Sequence, residues 1–191
     1  MKKIPLIIIG AGGHAKSCID VIESQKKYYI FGILDNSKKK TFMGYKILGN
    51  DSKLKLYKKI KNLVIGIGQI KNYKKRLKIY KECKKLGFNF PVIKSKFSLV
   101  SKYSKIGDGT LIFHNVVINS GAKIGENCII NTKSLIEHDV EVGDNCHVST
   151  GSILNGSVKI GKCTFIGSGS VISHDVRIKE KSFIKFGSKI Y

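Results

Sequence analysis

From Val100 to Ile190 every sixth residue is aliphatic, without one exception in sixteen positions. The series opens with Val100, Ile106 and Ile112, runs through Ile136, Val148 and Leu154, and closes with Ile184 and Ile190. Four residues after each member but the last stands a small residue or a valine, as at Ser104, Ala122, Cys128, Cys146 and Ser188. A hexapeptide period of this length predicts a parallel β-helix. Three hexads close one triangular coil, the aliphatic residue fills the interior, and the small residue permits the corner.

A solenoid fixes neighbours that are distant in sequence. Residues eighteen apart stack on adjacent coils, about 4.7–4.9 Å from each other, which is the strand spacing of a sheet. Cys128 and Cys146 therefore stack at the small inner position. His138 and His174 share the third position of their hexads and lie on one face, two coils apart. His147 stands half a coil from His138, so a partnership between those two would call for a second chain.

Composition narrows the class further. The chain has 191 residues, enough for one large or two small domains with a real core. The start Met1-Lys2-Lys3-Ile4-Pro5 leads into a short strand and glycines, too short for a signal-peptide core, and no apolar run approaches a membrane span. The expectation is a cytoplasmic protein without an integral membrane segment. Five cysteines show neither CxxC spacing nor an even framework and read as reduced, small apolar fillers. The formal charge of +22 invites a nucleic-acid reading, yet Arg76 and Arg177 are the only arginines, and base readout leans on arginine's bidentate fork. The lysines are spread along the chain, densest at Lys38–Lys40, Lys58–Lys61 and Lys71–Lys78, with no aromatic-interleaved stripe. They are read as solvated surface whose positive field favours arrival of anionic ligands such as phosphates.

The first ninety residues follow another pattern. Ile4–Ile9 reads as a strand, Gly10-Ala11-Gly12-Gly13-His14-Ala15 as a turn, and a helix follows to about Gln25. Further strands are expected at Ile30–Leu34, ending at Asp35, at Leu63–Ile67, ending at Gly68, and at Phe88–Val92, with a helix over Lys71–Lys85. This is a small Rossmann-like α/β unit, whose usual physics is an anion held against backbone N–H groups at a helix start. The unit is short for a dinucleotide and suits a mononucleotide better. The division expected is an α/β domain over 1–93 and a β-helix over 94–191.

The Gly10-Ala11-Gly12-Gly13-His14 turn in an α/β domain, followed by a hexapeptide solenoid carrying Ile136-Glu137-His138-Asp139, resembles the bacterial sugar acyltransferases. That group includes sialic acid O-acetyltransferases and N-acetyltransferases of UDP-4-amino sugars, and the similarity spans nearly the whole chain. The resemblance implies a left-handed helix, a homotrimer with active sites between subunits, and acetyl-CoA as acyl donor, with no metal. It implies His138 as general base and His147, Gly156 and Ser168 along the CoA site. It implies that Gly12, Gly13, His14, Asp35, Asn36 and Gly68 hold a nucleotide sugar. Ordinary crossover rules alone would argue for the right hand. The sequence departs from the pattern in two places. Gly68-Gln69-Ile70 replaces a Gly-Asn-Asn turn, and no Gly-x-Pro-Ala-Lys tail follows Tyr191, so the last coil is expected to leave a sheet edge open.

The chemistry is coherent on its own terms. A sugar amine or hydroxyl that attacks a thioester must lose a proton, and an imidazole is a natural acceptor. Asp139 would fix the His138 tautomer, but adjacent residues on a flat strand point to opposite faces, so the pair can form only if the chain bends there. Otherwise Glu137 or a carboxylate of another subunit would serve. Backbone N–H groups at a coil corner, or the His147 ring, could face the oxyanion. The sequence is thus read as an acetyl-CoA-dependent N-acetyltransferase of a nucleotide-linked amino sugar for surface glycans, with sugar O-acetylation as the alternative. Two other classes fit the scaffold: a zinc enzyme using His138 and His174, which lacks the third protein ligand zinc requires, and a non-catalytic binding module.

Overall fold

The computed structural model describes residues 3–191; Met1 and Lys2, with which the 1–93 unit begins, lie outside the described residues. The chain divides into two compact units, one of Met1–Gly68 with Lys74–Pro91 and one of Gln69–Tyr73 with Val92–Tyr191.

The first unit comprises β1 (Ile4–Ile9), α1 (Gly13–Gln25), β2 (Tyr28–Leu34), β3 (Thr41–Phe42), β4 (Tyr45–Gly49), β5 (Asn62–Ile65) and α2 (Lys74–Lys85), with a 3₁₀ helix at Asp51–Tyr57. The strand order is β3-β4-β2-β1-β5. The unbroken apolar run of β1 suits its inner place, parallel to both β2 and β5, with Leu6, Ile7 and Ile8 fully buried. The β3-β4 hairpin turns through Met43 and Gly44 at φ 48° and 80°. It escapes a sequence reading because Met-Gly is not a usual hairpin pair. Two expectations need correction. The strand expected at Phe88–Val92 is a single bridge between Asn62 and Asn89, because Pro91 has no N–H to continue a ladder. The helix expected from Lys71 begins at Lys74.

The second unit is a left-handed parallel β-helix. Seventeen two-residue strands run from Ile93–Lys94 to Lys189–Ile190 and form parallel sheets of six, five and six. Each strand but the last of each sheet pairs with the one eighteen residues on, as Leu135 with Ile153 and His147 with Phe165. The six-spaced aliphatics fill the interior: Ile112, Ile130, Ile136, Val148, Leu154, Ile166 and Ile172 are fully buried, while Ile178, Ile184 and Ile190 are half-buried. The small corner residues do more than save space. The hydroxyls of Thr110, Ser134 and Ser152 donate to the carbonyls of Gly125, Ser149 and Gly167 on the next coil, at 2.8, 3.0 and 2.9 Å. Cys128 and Cys146 make the same contact through Sγ, to Gly143 and Gly161. The Cys128 thiol beside it and burial hold the Cys146 thiol well above the ordinary range.

Corner residues in the left-handed region recur along the solenoid, among them Asn115, Asn127, Asp139, Asn145 and Asp175 at φ 53–62°. Asn and Asp tolerate this conformation better than most residues. Stacked charges are alternated on one sheet face, where Glu141 lies 3.2 Å from Lys123 and 3.4 Å from Lys159. Among the described residues no helix is long and apolar enough to cross a membrane.

Candidate active site

In the α/β unit the glycine turn follows β1. Gly10 has φ +100°, and a Cβ there would stand 2.6 Å from Ile67 Cγ1, so only glycine fits. Gly12 and Gly13 are different: a Cβ on either meets no described atom within 4 Å, and neither has a positive φ. Both are exposed, and α1 begins without a side-chain cap. The open N–H groups of that helix start are a fit for a phosphate. His14 packs beside Gly68, whose Cβ would lie 3.4 Å from the His14 Cβ.

Asp35 serves this turn from the end of β2. Its Oδ2 accepts the Ala11 N–H and its Oδ1 the Ser37 N–H, each at 2.8 Å. Burial would raise the Asp35 carboxyl, but the Ser37 hydroxyl and N–H, the Ala11 N–H and Lys39 together hold it below the ordinary range. Asn36, next to it, is exposed. A cavity of about 130 Å³ opens near the ends of β1 and β2, lined by Ile9, Leu34, Asp51, Leu54, Ile79 and Cys83 among others. Burial pushes the Asp51 carboxyl up, with Lys75 opposing.

A depressed folded-state carboxyl stabilises the fold above the unfolded value of about 3.9, and that contribution disappears as pH falls through the folded value. Asp35→Ala should therefore cost about 1–2 kcal/mol at pH 7 by losing two hydrogen bonds to a carboxylate. The gap to the wild type should close on acidification below about pH 3.9. Urea melts at the two pH values check this.

In the β-helix, His138 and Asp139 form the corner after the strand Leu135–Ile136. Asp139 has φ 59°, and this bend brings the neighbouring side chains to one side, with His138 Nδ1 3.0 Å from Asp139 Oδ2. A carboxylate only accepts, so Nδ1 carries the proton and Nε2 is left as the acceptor. Both side chains are exposed, 59% and 65%. Glu137 turns away from the pair and accepts from Asn119 Nδ2 at 2.8 Å. On the next coil Gly156 lies under the imidazole: a Cβ there would be 2.7 Å from both Cε1 and Nε2 of His138 and 3.2 Å from Nδ1 of His174. His138, Asp139, Gly156 and His174 thus converge on one spot.

His147 lies on the strand His147–Val148 and in a different setting. Only 5% of it is exposed. Its Nδ1 meets the Gln69 carbonyl at 2.5 Å, Nε2 lies 3.3 Å from Asn131 Nδ2, and Phe165 packs edge-on at 5.2 Å. Ser168, half-buried on the following coil, shares a 2.8 Å hydrogen bond with Ser149.

The PglD N-terminal domain family matches residues 5–83, and the GMPPB C-terminal domain family matches residues 95–189. No curated protein matches the sequence. Over 98% of its length the chain is similar to perosamine N-acetyltransferase from Caulobacter crescentus, with 88% of that chain covered, 26% identity and a TM-score of 0.92. That enzyme was solved with CoA and GDP-perosamine, in a form with one histidine changed to asparagine. The chain is similar to the acetyltransferase domain of PglB from Neisseria gonorrhoeae over 98% of its length and 91% of that chain, at 25% identity and a TM-score of 0.92. WeeI from Acinetobacter baumannii shares the fold, at 21% identity over 98% and 94% of the two chains with a TM-score of 0.75. Over nearly its whole length the chain resembles the acetyltransferases among these structures.

Two residues of the chain carry structure that its sequence did not announce. Gln69, which stands where an asparagine was expected, is buried; its carbonyl meets His147 and its Nε2 donates to the Asn145 carbonyl at 2.5 Å. Arg76, 1% exposed, donates Nη1 to the carbonyls of Ile65 and Ile67 at 2.7 and 2.9 Å, holding the turn after β5. No sequence signal separates Arg76 from the surrounding lysines. Gly156 was legible in a further way: eighteen residues place it directly beside His138.

Proposed function

We propose that this acyltransferase moves the acetyl group of acetyl-CoA to the amine of a nucleotide-linked amino sugar. The observation that carries the reading is His138, held at Nδ1 by Asp139 and presenting Nε2 over the side-chain-free Gly156. The acceptor nitrogen gives its proton to Nε2 as its electron pair attacks the thioester carbonyl, and the C–S bond breaks to release CoA. The Gly156 N–H is assigned to the oxyanion, since those of Asn155, Ser157 and Val158 donate to the carbonyls of Ile172, His138 and Asn155. The region of the His147 strand and the Ser168 corner is assigned to the acyl donor, with His147 as a buried, pre-set wall. Gly12, Gly13, His14 and Gly68 are assigned to the phosphates and sugar of the acceptor, with Asn36 at the rim and Asp35 holding the turn in shape. The two solved enzymes above, one bound to CoA and a GDP-linked amino sugar, support this assignment.

The reading includes a homotrimer. His138 and Asp139 are open to solvent in one chain, and a neighbouring subunit laid against this corner excludes water from the reaction. It also places the enzyme in the cytoplasm, where acyl-CoA and sugar nucleotides meet. The test is thiol release from acetyl-CoA against UDP-, GDP- and dTDP-linked amino sugars and sialic acids. Release with a nucleotide amino sugar is expected. Release only with a sialic acid would favour transfer to a hydroxyl, and silence across the panel would sink the reading. The active species should show three times the chain mass by light scattering.

The glycine turn gives a separate prediction. Gly13→Ala should leave thermal stability unchanged or slightly raised, since the new methyl meets no described atom within 4 Å and alanine is the better helix residue. The KM for the nucleotide sugar should rise by about tenfold, because the methyl fills the space left for the phosphate.

A further inference from the structure

The imidazoles of His138 and His174 stand two coils apart on either side of Gly156, and they present different atoms to it. His138 offers Nε2 and Cε1, because Nδ1 is tied to Asp139; His174 offers Nδ1. Both histidines leave the same kind of corner, each followed by an aspartate in the left-handed region, Asp139 at φ 59° and Asp175 at φ 62°. Both are exposed. A glycine between them is what lets the rings converge, since any side chain at 156 would press on both.

The geometry points to His174 as a second group of the catalytic centre, a hydrogen-bond donor to the departing sulfur. The inference rests on the acetyl-transfer reading above. A tetrahedral intermediate carries the attacking nitrogen on one side of the carbonyl carbon and the sulfur on the other. Set over Gly156, it has one imidazole beside each. The nitrogen's electron pair forms the C–N bond and its proton passes to His138 Nε2. The C–S pair leaves with the sulfur, toward which His174 directs its Nδ1–H as negative charge develops. The proton held on His138 is then returned to the thiolate or to solvent, and both rings are restored. His174 changes no bond; it stabilises charge that exists only as the C–S bond opens, so its contribution belongs to kcat and not to substrate binding.

The test compares His174→Leu with His174→Asn, because an asparagine amide places an N–H donor near the position of Nδ1 while leucine has similar bulk and no donor. In the thiol-release assay, His174→Leu should lose about ten- to a hundredfold in kcat, with KM for both substrates within about twofold of wild type. His174→Asn should recover most of that loss. The ring is exposed, so melting temperatures should not move. Wild-type kcat in the leucine variant would overturn the inference, and so would equal losses in the two variants, which would reduce His174 to packing. Full turnover in His138→Ala would instead strike the general-base assignment and leave the comparison at 174 to stand or fall alone. A wild-type enzyme that releases no thiol with any acceptor would overturn both.

Discussion

Replacing His138 with alanine should lower kcat for acetyl transfer by a hundredfold or more, the scale of a lost general base. The protein should remain folded and of unchanged assembly. The reason lies in the division of labour within the coil. Ile136 and Val140, on either side of the corner, are fully buried and hold it to the core, whereas the His138 side chain is 59% exposed and leaves no cavity behind. Stability should change by no more than about 0.5 kcal/mol, as for a surface position. Asp139→Asn should lose activity as well, since the amide no longer favours the tautomer with the proton on Nδ1. It should lose less than His138→Ala, because the imidazole proposed as the base stays. Turnover of His138→Ala near the wild-type level, in protein of wild-type melting behaviour, would remove His138 from the reaction.

The β-helix is legible in the sequence because every coil repeats the same local requirement, an aliphatic residue inside and a small one at the corner. Eighteen-residue register then puts Cys128 against Cys146 and His138 on the face of His174 without any coordinates. What the register cannot give is backbone detail at single corners. Strand alternation sets His138 and Asp139 on opposite faces, and only the left-handed conformation of Asp139 brings them together. The α/β unit is less transparent for a related reason. The glycine turn and Asp35 are visible as a motif, yet the motif does not say that both Asp35 oxygens are taken by backbone N–H groups. That makes the aspartate a brace for the turn. Buried partners such as Gln69 and Arg76 meet carbonyls, which every residue has, so no sequence pattern marks them.

Gly156→Ala should damage turnover far more than it damages the fold. Its Cβ would stand 2.7 Å from Cε1 and Nε2 of His138, too close for the ring to stay in place, and 3.2 Å from Nδ1 of His174, a tight contact. Gly156 has no positive φ, so alanine brings no backbone strain. The obstructing atoms are the ends of exposed side chains, which swing aside more cheaply than the coil can move. The fold should lose about 1 kcal/mol or less. The proposed base, His138, is however displaced from the group whose proton it would take, and a misplacement of about 1 Å in a reacting group can cost about a hundredfold in rate. Gly87→Ala is the converse. Gly87 lies just past the end of α2 at φ +81°, with no described atom within 4 Å of an added Cβ. Alanine there should cost about 1–2 kcal/mol from the left-handed backbone and leave kcat unchanged. Measuring melting temperature and kcat for both variants separates the glycine kept for conformation from the one kept for chemistry. If Gly156→Ala loses stability and keeps its rate, the space above residue 156 is not where the reaction takes place.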